Sequence, residues 1–170
     1  MIRYFEGNLE PANGRFALCV SRFNSLATEG LLSGALEALK QHGVSDDAID
    51  IYRVPGAFEL VGLVRRLAER NAYAGIVCLG AVIRGGTPHF EYLCAEVTRG
   101  IGAVAATAPC AVSFGILTCD TFEQALDRAG GKSANKGGEA ALACLEMTNL
   151  YARISGGSSG RLSAVEGKKK

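Results

Sequence analysis

Four apolar runs of strand length, each followed by a stretch with helical periodicity, constrain the fold of this chain more than any other feature. "FALCVS" (16–21) precedes a helical pattern from about Leu26 to Gln41, whose Leu32, Leu36 and Leu39 share one face and whose stop is Gly43. "IDIYRV" (49–54) precedes a pattern near Phe58 to Arg70, and "AGIVCLGAVI" (74–83) one from about His89 to Ala106. "AVSFGIL" (111–117) precedes a short helix, Thr121 to Ala129, and then a long one, Asn135 to Arg153, with Ala141, Leu145, Thr148 and Tyr151 three or four apart. Strands that alternate with helices in this way form a parallel sheet covered on both faces. The expectation is an α/β protein, a three-layer α/β/α domain of flavodoxin-like character built on a four-stranded parallel sheet over residues 1–154.

Composition narrows what such a domain can bind. Eighteen basic against 17 acidic residues, net +1, produce no field that would favour nucleic acid or an anionic membrane, so an anion must be held by local contacts. The six cysteines (Cys19, Cys78, Cys94, Cys110, Cys119, Cys144) lie in or beside apolar runs and never at C-x-x-C spacing. They are read as core thiols of a reducing cytoplasm, with no metal site. The uncharged stretch Gly100–Cys119 has the length of a membrane span, but Pro109 interrupts it and its halves read as a helix end and a strand. The charged start "MIRYFEGNLE" does not suit a signal peptide. Residues 155–170, "SGGSSGRLSAVEGKKK", read as a flexible Gly/Ser-rich basic tail.

Parallel sheets gather ligands outside the carboxyl ends of their strands. Polar, glycine and aromatic residues cluster at all four expected mouths: Arg22, Phe23 and Asn24; Pro55 to Glu59; Arg84 to His89; Thr118 and Asp120. In "GAVIRGGTPHFEY" (80–92) a glycine pair and Thr87 precede a helix, where converging N–H groups and the helix dipole favour an anion. An ordinary strand-to-helix turn with a threonine cap is the alternative. No Walker or dinucleotide glycine pattern occurs, so a small phosphorylated metabolite fits best. His89, at the start of the same helix, can reach what the cradle holds, and the dipole there favours a neutral imidazole able to accept and return a proton. His42, beside Gly43 at a helix C-terminus, is read as structural, and so is Arg84.

Together "SRFN" (21–24), "VPGAFEL" (54–60), "GAVIRGGTPHFEY" (80–92), "FGILTCDTFEQALDRAG" (114–130) and "NKGGEAALACLEM" (135–147) resemble, in order and spacing, the signature blocks of the lumazine synthase family over about residues 3–153. The resemblance implies condensation of 5-amino-6-ribitylaminouracil with 3,4-dihydroxy-2-butanone 4-phosphate to 6,7-dimethyl-8-ribityllumazine, phosphate and water, a step of riboflavin biosynthesis that needs no cofactor. It assigns proton transfer to His89 and stacking on the pyrimidine ring to Phe23. Ala57, Phe58 and Glu59 are assigned to the ribityl chain, and the main chain of Ala81, Val82 and Ile83 to the polar edge of the heterocycle. Gly86 and Thr87 match the phosphate loop. Phe114 resembles a ring contact from a neighbouring subunit, Arg128 a forked phosphate ligand, and Lys136 a contact to the ribitylaminouracil.

Two positions depart from the family pattern: Val61 stands where a proline is frequent, and Gly86 where an acidic residue or alanine is common. Neither supplies its side chain to the implied chemistry. The resemblance also implies a homo-oligomer of ring-shaped pentamers, and the short "GGKSANKGG" link resembles the type that packs pentamers into an icosahedral shell, with riboflavin synthase as a candidate partner. A non-catalytic flavin-binding or shell-forming relative is the alternative, but it would have no reason to keep Phe23, Glu59, His89 and Arg128 together.

Overall fold

A computed structural model describes residues 2–132 and 134–156 of the chain. Strands β1 (Phe16–Ser21), β2 (Ile49–Val54), β3 (Gly75–Ile83) and β4 (Ala111–Cys119) form one parallel sheet in the order β2-β1-β3-β4. Among the described residues the helices are α1 (Ser25–Gln41), α2 (Ala57–Glu69), α3 (His89–Thr107), α4 (Phe122–Arg128) and α5 (Lys136–Ile154), and a short 3-10 turn, Asp46–Ala48, leads into β2. The expected three layers are present. Alternation along the strands separates two cores, since successive side chains point to opposite faces. Phe16, Leu18 and Val20 pack under α1 and α5, whereas Ala17 and Cys19 pack under α2 with Tyr73 and Ile101.

The strands and helices fall where the apolar pattern places them, with small shifts at their ends. The fourth strand runs two residues past the expected Leu117, because Thr118 and Cys119 pair with Val82 and Ile83. Helix α2 begins at Ala57 rather than Phe58, with Gly56 as its N-cap. The uncharged run 100–119 divides into the end of α3 and all of β4, and no helix among the described residues is long and apolar enough to cross a membrane. All six cysteines are free thiols, and burial pushes Cys19 and Cys144 up to about 12. Among the described residues no cluster of metal-ligating side chains occurs. The tail expected over 155–170 lies, from residue 157 onward, outside the described residues.

At the amino ends of the strands, a polar clasp joins β1, β2 and β3. Arg15 donates through Nε to Asp50 Oδ2 at 3.1 Å, Tyr73 donates to the same oxygen at 2.8 Å, and the Tyr52 hydroxyl lies 2.5 Å from that of Tyr73. This clasp leaves the opposite, carboxyl end of the sheet free to form a cleft.

Candidate active site

At the mouth of the sheet the chain ties three strand ends together. The N–H of Arg22 donates to Val54 O at 2.9 Å and that of Phe23 to Pro55 O at 3.0 Å, so the exit of β1 is held to the exit of β2. Asn24 then turns the chain into α1 with a left-handed backbone (φ 59°), a conformation Asn tolerates better than most residues. Its Nδ2 donates to Ala81 O at 2.9 Å, adding β3 to the same junction. Between these anchors the Phe23 ring is left 68% exposed. It lies against Gly56: a Cβ at residue 56 would sit 2.8 Å from Phe23 Cδ2. Since Gly56 is extended (φ −137°), the glycine is required by the neighbouring ring and not by its own backbone.

The first turn of α2 contributes the next group. Gly56 N–H donates to Glu59 Oε2 at 2.9 Å, which caps the helix and fixes the carboxylate at the cleft wall. Ala57, Phe58 and Glu59 line one cleft of about 670 Å³ together with Phe23, Ala81, Val82, Ile83, Thr87 and His89. Gly86, between Gly85 and Thr87, lies in the exposed loop at its rim. A Cβ on Gly85 or Gly86 would meet nothing within 4 Å, and neither has a left-handed φ. The loop is therefore open to a ligand approaching its backbone. Helix α3 starts after Pro88 without a side-chain cap, so Thr87 does not cap it and no side chain accepts from its first-turn N–H groups. His89, the first residue of α3, is exposed in the cleft.

Phe114, Arg128 and Lys136 are not part of this cleft. They line a second one, of about 410 Å³, between β4, the edge strand of the sheet, and helices α4 and α5. No residue lines both clefts. Arg128, the last residue of α4, donates through Nη1 to Gln124 O at 3.2 Å and is otherwise exposed. Lys136 opens α5, against the helix dipole, and its ion pair with Glu139 at 2.6 Å offsets that placement.

The two residues read as structural remain so. Arg84 pairs with Glu91 and with Asp120 (2.7 Å), and its guanidinium stands 4.3 Å from the Phe90 ring centroid, linking the exits of β3 and β4 to α3. The same guanidinium holds the Glu91 carboxyl below its usual range. His42 caps α1, with Nδ1 2.8 Å from Ala38 O. Sequence reasoning put Asn24 and Gly56 at the strand mouths without giving them a role, and it missed Phe90, Tyr92, Leu93 and Glu96, which line the same cleft. A signal for the last three existed: with His89 they recur at three- and four-residue spacing on one face of α3.

The family model described as 6,7-dimethyl-8-ribityllumazine synthase matches residues 13–152. A protein named 6,7-dimethyl-8-ribityllumazine synthase from Myxococcus xanthus (strain DK1622) is 58% identical over 160 residues, covering 91% of this chain and 96% of the relative. Those of the same name from Anaeromyxobacter sp. (strain Fw109-5) and Anaeromyxobacter dehalogenans (strain 2CP-C) are 56% and 55% identical, over 86% and 88% of this chain and 90% and 93% of theirs. The matched span begins before β1 and ends inside α5, so every strand and both clefts fall within it. This chain belongs to the 6,7-dimethyl-8-ribityllumazine synthase family.

Proposed function

We propose that the cleft at the exits of β1, β2 and β3 is where the chain performs the reaction of its family. 6,7-Dimethyl-8-ribityllumazine is formed there from 5-amino-6-ribitylaminouracil and 3,4-dihydroxy-2-butanone 4-phosphate. The observation that carries this reading is the single cleft that brings an exposed aromatic, a fixed carboxylate, three residues of strand backbone and a histidine to the rim of a glycine loop. Phe23 offers a flat apolar face for the pyrimidine ring, and the main chain of Ala81 to Ile83 its polar edge. Glu59 keeps one oxygen on Gly56 N–H and has the other for hydroxyls of the ribityl chain, which runs over Ala57 and Phe58. Gly86, Thr87 and the first-turn N–H groups of α3 receive the phosphate.

The chemistry then needs little more than alignment and proton transfer. The 5-amino group adds to the ketone, a first water leaves to give an imine, phosphate is eliminated to an enol that tautomerises to a ketone, and the ribitylamino nitrogen adds to that carbonyl and expels a second water to close the ring. His89 lines the same cleft as Thr87 and Phe23, from which it can take a proton at one stage and return it at the next. Because the two reactants combine once held together, orientation supplies much of the acceleration.

The second cleft completes the site in this reading, from another copy of the chain. Phe114, Arg128 and Lys136 lie along the free edge of β4, away from the first cleft. A head-to-tail contact that seats this edge on the next copy's mouth repeats around a ring, as the pentamer implied by the family resemblance requires, and the short link before α5 fits packing of pentamers into a shell. A cytoplasmic location, with riboflavin synthase as a possible further partner, belongs to the same reading. Mixing purified protein with the two substrates and following the fluorescence of the lumazine tests the function; absence of product above the uncatalysed rate would refute it.

A further inference from the structure

We propose that Asn135 is a positioning residue for the second cleft, its carboxamide setting the placement of Arg128 and thereby the affinity for the phosphorylated ketone. The inference rests on the reading of Arg128 as a phosphate ligand. Asn135 is the N-cap of α5, and its Oδ1 accepts from Gly137 N–H at 2.9 Å and Gly138 N–H at 3.2 Å. A cap needs only that acceptor, which Ser, Thr or Asp would supply as well. The donor half does something a cap does not require. Nδ2 donates to Gly30 O in α1 at 2.8 Å and to Ala129 O, the residue after Arg128, at 3.1 Å. Both N–H groups and the carbonyl oxygen are thus engaged, and one side chain holds three elements together.

The surroundings are shaped to receive it. A Cβ on Gly34 would lie 2.2 Å from Asn135 Cγ, and one on Gly130, which is left-handed at φ +106°, would lie 3.0 Å from Nδ2. Ala129 and Asn135 also form an isolated antiparallel bridge, so the segment between them is closed at its base. Helix α4 cannot hold Arg128 in place by packing: it has seven residues and buries only Ala125. Gly130 and Gly131 follow, and they add no stiffness. The clamp at Ala129 therefore fixes the backbone next to Arg128, while the cap fixes the backbone next to Lys136.

The test measures kcat, the KM of each substrate, thermal midpoint and assembly size for N135D, G34A, L36A and R128A in the full chain. N135D keeps the cap acceptor but turns an oxygen toward two carbonyls, and G34A displaces the Asn135 side chain without changing it. L36A weakens α1 packing without touching Asn135. Losing a well-placed charge-assisted contact raises KM for the phosphorylated ketone about tenfold in N135D and G34A, with KM for the uracil within about twofold of the parent. L36A lowers the thermal midpoint and leaves both KM values in place. If N135D does not assemble, G34A carries the same test. A parental KM for the ketone in the assembled variants, or an equal rise for both substrates, overturns the role of Asn135. R128A separates the two failures: if it leaves KM for the ketone unchanged, the phosphate reading of Arg128 falls and the proposal with it. If R128A raises that KM and N135D does not, only Asn135 is refuted.

Discussion

Gly56→Ala tests whether the Phe23 ring is a substrate platform, because it moves the ring without altering it. The backbone at residue 56 (φ −137°, ψ 179°) is ordinary for alanine, so the substitution brings no backbone strain. Its Cβ would sit 2.8 and 3.2 Å from two carbons of the Phe23 ring and 3.1 Å from Glu59 Oε2. Carbon atoms pack at roughly 3.5–4.0 Å, so the ring must retreat by about 0.7 to 1.2 Å. Stacking of a heterocyclic base on an aromatic side chain is worth roughly 1–3 kcal/mol, and a displacement of that size forfeits a large part of it. The affinity for 5-amino-6-ribitylaminouracil should fall about five- to fiftyfold, while that for the phosphorylated ketone stays near the parental value. Stability changes little: alanine is the poorer N-cap by up to about 1 kcal/mol, a thermal shift of roughly 2–4 °C for a chain of this size. Titration calorimetry with each substrate, alongside Gly86→Ala as a control, reads the effect. A Cβ on Gly86 meets nothing within 4 Å, so the control should keep the parental stability and affinity for the uracil. Parental affinity for the uracil in Gly56→Ala, or an equal loss for both ligands, would refute the argument.

His89→Ala should lower turnover roughly ten- to a thousandfold and leave the protein folded, because alignment of the reactants survives the loss of the proton carrier; a parental rate removes His89 from the mechanism. Mixed assemblies of His89→Ala and Arg128→Ala subunits should regain activity above the residual level of either parent, since some interfaces then pair an intact His89 with an intact Arg128. Mixtures shown by mass spectrometry to contain both subunits, yet no more active than the average of the parents, would place both residues in one subunit's site. Asp50 is held below its ordinary value of 3.8, chiefly by the hydrogen bond from Arg15 and then by that from Tyr73. A lowered carboxylate stabilises the fold above the unfolded value and stops doing so as pH falls through the folded one. Urea midpoints of the parent and Asp50→Asn should therefore differ more at pH 7 than near pH 3, and a constant difference would count against the clasp.

What the sequence made legible, and what it did not, follows from the range of the interactions involved. The bounds of β1 and β2 could be read from an apolar run and its flanks, which are local, whereas the extra residues of β4 come from pairing with β3 some 36 positions away. Residues at the strand exits could be expected to meet because parallel sheets place them together, and Phe23, Glu59, Thr87 and His89 do share one cleft. That Gly56 is the seat of the Phe23 ring could not be seen, since nothing near residue 56 shows what approaches it. Phe114, Arg128 and Lys136 came from resemblance alone, and no pattern along the chain shows that they face away from the first cleft. Charge links the two clefts. With a net charge of only +1 the protein has no field to draw in a phosphorylated substrate, and Lys136 is already paired with Glu139. In the proposed reading the anion's affinity comes from short-range donors: the loop at Gly86 and Thr87, the start of α3, and the guanidinium of Arg128. Because Arg128 lies in the other cleft, a lone subunit would bind the uracil through Phe23 and Glu59 but hold the phosphate poorly, and assembly itself would act as the step that makes the second substrate bind.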